Sequence, residues 1–249
     1  MPESWKSRYG LLRSMLIYRR PGRQRALRSL YRDFVQPGDL VFDIGAHLGD
    51  RTTAFAALGA RVVALEPQPR LFRWLKRLHR RHPEVSSLRL AVGAQSGRME
   101  LTSSRSNPTV ASLSSEWRRQ MSQTQSSFAA VDWDERVAVE VTTLDALIER
   151  FGEPAFCKID VEGFEPEVLA GLSRPLPALS VEFVQGALDQ ALACVDRLES
   201  LAGYRYQVVA GERRCFHLDD WLDAAGIRDW FDQGAASLAS GDLYARRCP

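Results

Sequence analysis

The sequence predicts a Rossmann-like α/β domain: a mostly parallel, seven-stranded sheet with helices on both faces, preceded by N-terminal helices. Three observations predict it. Residues Leu40–Pro67 read as strand, glycine turn, helix and strand. Beyond them, short apolar runs alternate with amphipathic segments, the pattern of a parallel sheet joined by crossover helices. Finally, Asp43, Glu66, Ala91, Asp160 and Glu182 all fall at carboxyl ends of predicted strands, the rim where such sheets bind ligands.

The chain has 249 residues, 45% of them hydrophobic and 26% charged, enough apolar material for one sizeable domain. Net charge is only +2, but residues 1–40 hold nine Lys/Arg against three Asp/Glu, so the remainder is net acidic. We divide the chain into a basic helical extension over 1–38 and a ligand-binding domain over 39–249. The extension reads as two helical pieces broken at Pro21-Gly22, the second (Gln24 to Val35) burying Leu27, Leu30, Tyr31 and Phe34. Its Arg-rich face is either solvated or a docking surface for an anionic partner; Trp5, Tyr9 and Tyr18 interleave the basic residues. Cys157, Cys194, Cys215 and Cys248 form no C-x-x-C pair, so idle thiols in a reducing cytoplasm are expected. No apolar run reaches the length of a membrane span, and no signal-peptide pattern is found.

In order, Leu40–Ile44 is a strand, Gly45–Gly49 a turn, a helix starts near Asp50 and stops at Gly59, and Val62–Leu65 is the second strand. Pro69–Arg81 is a helix with Leu71, Trp74 or Leu75, and Leu78 inward; His79 and His82 are expected at the surface. Ser87–Val92 is the third strand, with Ala91 and Val92 suited to an adenine ring. Arg98–Thr102 is a short extra strand. Residues 103–135 are rich in serine and too long for a plain connector, so a flap over the crevice is expected, with Trp117, Phe128 and Trp133 to pack it or to touch a substrate. Val137–Thr142 is a strand and Thr143 caps a helix over Leu144–Phe151. Ala155–Ile159 is a buried strand, Pro166 opens a helix running to Gly171, and Leu179–Phe183 is a strand. Leu188–Ala202 is a helix, Tyr204–Val209 a strand, residues 216–221 a loop or short helix, and Asp242–Arg246 a last strand.

The turn D-I-G-A-H-L-G carries the chemistry of the first unit. A dinucleotide site wants G-x-G-x-x-G and a helix N-terminus free for a pyrophosphate. Here the spacing is G-x-x-x-G, and the Asp43 carboxylate would repel a diphosphate. It suits a ligand with a cationic amino group, a ribose and no phosphate: S-adenosyl-L-methionine (SAM). Gly45 and Gly49 are expected to let backbone approach that ligand, and Glu66 to take the ribose hydroxyls. Ala46, His47 and Pro67 complete the turn and the strand tip.

The second chemical segment is K-I-D-V-E-G-F-E, residues 158–165. An unpartnered ammonium inside an apolar strand is costly, and Lys158 shares a strand face with Asp160. Either the group is a structural ion-pair network, or Asp160 faces a transferable methyl. In-line methyl transfer to a hydroxyl needs alignment and loss of the hydroxyl proton. Asp160, Glu162 or His47 could accept it; alternatively Asp160 and Glu162 could hold a divalent cation, although no metal is predicted.

These segments together (F-D-I-G-A-H-L-G, L-E-P, T-L-D-A-L and K-I-D-V-E-G-F-E-P-E-V-L-A-G-L) resemble the FkbM family of SAM-dependent methyltransferases, over roughly residues 41–182. The resemblance implies a class I methyltransferase fold and O-methylation of a hydroxyl on a sugar, saccharide or small natural product. By position it assigns Asp43, Gly45, Gly49 and Glu66 to SAM and Asp160 to the reactive end. The family turn usually reads G-A-N-x-G; here His47 stands for Asn. Ser112-Leu113 is similar to a Ser-Leu of that family. Two other readings remain: a nucleic-acid methyltransferase, against which D-V-E-G counts because amino-methylating enzymes carry an Asp/Asn-Pro-Pro-aromatic tetrad there, and a SAM-binding protein without catalysis.

Overall fold

The computed structural model describes residues 21–104, 111–124, 131–211 and 213–249. Trp5, Tyr9, Tyr18 and Phe128, and the first expected helical piece, lie outside those residues. The described helices are α1 (Pro21–Tyr31), α2 (Asp50–Ala57), α3 (Pro69–Leu78), α4 (Ser115–Thr124), α5 (Leu144–Phe151), α6 (Glu165–Ala170), α7 (Leu188–Glu199) and α8 (Ala224–Asp232). The strands are β1 (Leu40–Ile44), β2 (Arg61–Leu65), β3 (Val85–Leu88), β4 (Ala91–Val92), β5 (Gly97–Ser103), β6 (Ala111–Ser112), β7 (Glu135–Thr142), β8 (Phe156–Ile159), β9 (Ala178–Val184), β10 (Tyr204–Ala210) and β11 (Ser240–Arg247).

The central sheet is ordered β3-β2-β1-β8-β9-β11-β10. β1 lies between β2 and β8, parallel to both, and only β11 runs against its neighbours. Strand order therefore reverses at β1, and the crevice beyond the ends of β1 and β8 is the expected binding place. Alternation along the strands sends Phe42, Ile44, Cys157, Ile159, Leu179 and Val181 to the core under α5 to α8. Their neighbours Val41, Val62, Ala64 and Phe156 face α1 and α2.

α1 is part of that second core. Leu27, Leu30, Tyr31 and Phe34 are buried, with Tyr31 on Phe55 and Phe34 on Phe156 (ring centroids 4.4 and 5.1 Å apart). Each such burial contributes about 1.5–3 kcal/mol.

Three expectations are corrected. The third strand ends at Leu88, where Glu66 N–H meets the Leu88 carbonyl at 3.1 Å. Ala91-Val92 then leaves the central sheet and pairs with β7 in a second sheet, ordered β4-β7-β5-β6. His79 is buried, not at the surface: the inward stripe of α3 is Leu71, Leu75 and His79 at intervals of four, and Leu78 is only half-buried. Helix α8 was not expected; Asp223 caps it, its side chain accepting from the Gly226 N–H at 2.9 Å. The Thr143 cap on α5 stands as expected, bonded to the Ala146 N–H at 3.1 Å.

Candidate active site at the carboxyl end of the sheet

A cavity of about 310 Å³ opens beyond the strand ends. Gly45, His47, Glu66, Pro67, Asp160, Glu162 and Glu182 line one side, and Ala91, Val92, Leu101, Ala111 and Leu113 form an apolar wall built by the second sheet. A smaller cavity of about 90 Å³ adjoins it, and the two share Gly45, His47 and Asp160. Asp43, Ala46 and Lys158 line the smaller one.

The turn after β1 is shaped by the protein itself. Gly45 (φ 75°) and Gly49 (φ 81°) adopt left-handed backbone. A Cβ on Gly45 would sit 1.8 Å from the Asp160 carbonyl oxygen, and one on Gly49 would sit 2.3 Å from the His79 ring. Protein atoms fill the space that their missing side chains leave, so both glycines are also needed by the fold itself, while Gly45 lines both cavities. His47 is also left-handed (φ 51°), a conformation that Asn, Asp and His tolerate better than most residues. That accounts for His in a position where the resembled turn has Asn.

Glu66 is buried at the tip of β2. Its Oε2 accepts the His47 N–H at 3.0 Å and its Oε1 the Gln68 N–H at 2.8 Å. Burial raises its pKa to about 7 despite those two donors. Asp43 is fully buried. Its Oδ2 accepts the Thr52 hydroxyl at 2.5 Å, while Oδ1 has no hydrogen-bond partner among the described residues. Burial raises its pKa, with Lys158 and Thr52 opposing.

Register sets the next row. Asp43 pairs with Lys158, and Lys158 with Ser180. Lys158 Nζ donates to Asp160 Oδ2 at 2.7 Å. Burial works against the ammonium, but Asp160 and Asp43 outweigh it and raise its pKa. Asp160 is likewise penalised by burial, yet Lys158 holds its pKa below the ordinary value. Of the two sequence readings of Lys158, the ion pair is present, and it keeps Asp160 charged at the cavity junction.

Asp160, Glu162 and Glu182 bring carboxylate oxygens within 4.8 Å of one another. Like charges that close cannot all ionise together. Burial, then Asp160 and Glu165, raise the Glu162 pKa to about 8. Burial, then Asp160, Glu162 and Glu165, push Glu182 well up. Glu165 sits in the first turn of α6 and accepts the Val161 N–H at 2.8 Å; burial raises it to about 7. Burial lowers His47 to about 4, so its ring is neutral near pH 7.

Glu162 has left-handed backbone (φ 54°), followed by Gly163 (φ 83°). The Trp117 indole lies on Gly163, where a Cβ would come within 2.1 Å of it. Trp117 and Met121 of α4 are buried with Ala187. Helix α4 thus packs on the D-V-E-G turn through Trp117.

Sequence reasoning did not commit to Glu182, although its strand-end position pointed to it. It missed Gln68 and the wall residues Leu101, whose strand partner Val137 is distant in sequence, and Ala111.

Compared with known protein families, residues 43–228 match the model described as the methyltransferase FkbM domain. The chain belongs to the FkbM methyltransferase family. Membership makes it an enzyme, a SAM-dependent methyltransferase. No curated protein matches the chain in sequence. Among solved structures, an O-methyltransferase from Bacillus cereus in complex with SAH is similar in fold, with 12% identity, 99% of this chain and 93% of that chain covered, and a TM-score of 0.50. A precorrin-6y C5,15-methyltransferase from Geobacter metallireducens GS-15 aligns over 90% of this chain and 86% of that one, with 14% identity and a TM-score of 0.48. Among the described residues, no helix of this FkbM methyltransferase is long and apolar enough to cross a membrane.

Proposed function

We propose that the chain is an O-methyltransferase acting on a hydroxyl of a sugar, saccharide or small natural product, with Glu162 as proton acceptor. One observation carries the reading: the larger cavity is lined by four carboxylates (Glu66, Asp160, Glu162 and Glu182) and, among the described residues, by no Lys or Arg. Such a lining gives a phosphate no cation and offers a polyol hydrogen-bond acceptors and, where a carboxyl is protonated, donors. It disfavours a nucleic-acid acceptor.

SAM, when bound, supplies an electrophilic methyl group on a sulfonium. The residues fit it: Glu66 presents a fixed carboxylate for ribose hydroxyls, Ala91 and Val92 give an apolar seat for adenine, and the Asp43 Oδ1 answers a cationic amine. Pro67, Gly45, Ala46, His47 and Gly49 shape the turn beneath. Asp160, kept ionised by Lys158, supports positive charge at the junction of the two cavities. Glu162 accepts the acceptor's hydroxyl proton; a pKa near the working pH is the optimum for a general base. Its left-handed backbone is the kind of local strain found at functional sites. His47, neutral and half-buried, lines both cavities and serves as a backbone donor to Glu66. Residues 39–249 form the methyltransferase domain, and the four free thiols fit a cytoplasmic setting.

The test is transfer of labelled methyl from SAM into fractionated cell extract, followed by identification of the product. Glu162→Gln is expected to lower turnover by about 10²–10⁴-fold, with S-adenosylhomocysteine (SAH) affinity retained. Unchanged turnover would remove Glu162 from the role, and label appearing in RNA or DNA would overturn the acceptor class.

A further inference from the structure

The smaller cavity holds charges of both signs. Arg23, Arg51 and Lys158 face Asp43, Asp50 and Asp160 around about 90 Å³. Arg23 comes from α1, outside the residues 43–228 matched to the family. Its Nε donates to Asp50 Oδ2 at 2.6 Å, and both side chains are nearly buried, at 9% and 7% exposure. The neighbouring Gln24 holds the other Asp50 oxygen at 2.7 Å, so α1 grips the first residue of α2 with two side chains. The fully buried Asp43 lines the same cavity, and its Oδ1 is bonded by no described residue.

A cavity of this size lined by both guanidinium and carboxylate groups is complementary to a small zwitterion. It joins the larger cavity at Asp160. We infer that α1 completes the cofactor site: the Arg23 guanidinium binds the α-carboxylate at the methionyl end of SAM, opposite Asp43, which takes the α-ammonium. A guanidinium carries five N–H donors in a rigid fork and serves two acceptors at once, so Arg23 stays anchored on Asp50 while it binds. The inference rests on the SAM-dependent reading of the chain and adds to it a specificity residue that the family match does not reach.

The test compares ligands by calorimetry on the full chain. SAH carries the amino-acid end; 5′-methylthioadenosine keeps the adenosine and thioether and lacks that end. Arg23→Gln is expected to weaken SAH by about tenfold or more, the usual worth of a charge-assisted bond, while leaving 5′-methylthioadenosine within about twofold. Arg23→Lys, which keeps the charge beside Asp50 and protects the fold, is expected to weaken SAH by a smaller factor and again spare 5′-methylthioadenosine. Equal loss of both ligands would make Arg23 merely structural and overturn the inference, as would unchanged SAH affinity in both variants. If the unaltered chain bound neither ligand, the cofactor reading itself would fall, and the inference with it.

Discussion

At the scale of single residues, the turn after β1 shows how one pattern answers two demands. Gly45 was legible as a glycine that a binding turn needs, but its contact partner was not. The Asp160 carbonyl that occupies its Cβ position comes from a strand more than a hundred residues away. Gly45→Ala should therefore destabilise the ligand-free chain, by roughly 3 kcal/mol from overpacking plus left-handed strain, measured as a shift of the urea midpoint. A glycine needed only for ligand approach would leave that midpoint in place. Carboxylate pairing was equally invisible in sequence, because burial and register decide it. Glu66, Glu165 and Glu162 have pKa values raised from 4.5 to about 7, 7 and 8. The folded state then binds protons more tightly than the unfolded one, and stability falls as pH rises through that window. His47, lowered from 6.5 to about 4, acts in the opposite sense, but only below about pH 6.5. Unfolding midpoints should therefore decline between about pH 6.5 and 8, and Glu162→Gln should flatten the slope. A rising midpoint would contradict the assignment.

At the scale of elements, the helices with capping signals and strong periodicity were readable: α5 with its Thr143 cap, α7 with its apolar stripe, α6 opening on Pro166. The break between β3 and β4 was not, since Ser87–Val92 runs on as one extended stretch and only pairing with β7 separates it. Of the serine-rich segment, the described Ala111 and Leu113 line the larger cavity, and its attachment is tertiary. α4 hangs on Trp117 lying over Gly163. Trp117→Ala should cost about 3–5 kcal/mol if the whole chain responds. Loosening of α4 alone should instead show as faster amide exchange over 115–124 and at Gly163, and in both cases turnover falls, because the Glu162 turn loses its clamp. Normal turnover in that variant would show the clamp to be dispensable. α1 and the turn after it carry a similar lesson: their buried face was legible from Leu27, Leu30, Tyr31 and Phe34, but nothing marked Arg23 as the residue that meets Asp50.

At the scale of the whole molecule, alternation of strands and helices was enough to foretell a mostly parallel sheet, and acidic residues at strand ends located the crevice. The order of strands was beyond reach, and it has a consequence in time. β11 lies between β9 and β10 and runs against both. During synthesis β10 leaves the ribosome well before the strand that joins it to the rest, and on its other side only the segment around residues 216–222 bridges to it. The sheet strands β3, β2, β1, β8 and β9 precede β10 in the chain, while β9 and β10 each keep an open edge of the kind that invites pairing with foreign chains. A nascent or truncated chain stopped before Ser240 would hold every residue named at the larger cavity and still be a polymerisation hazard, so β11 acts as a wedge that closes an edge of β9 and one of β10 rather than as one more rung of the sheet.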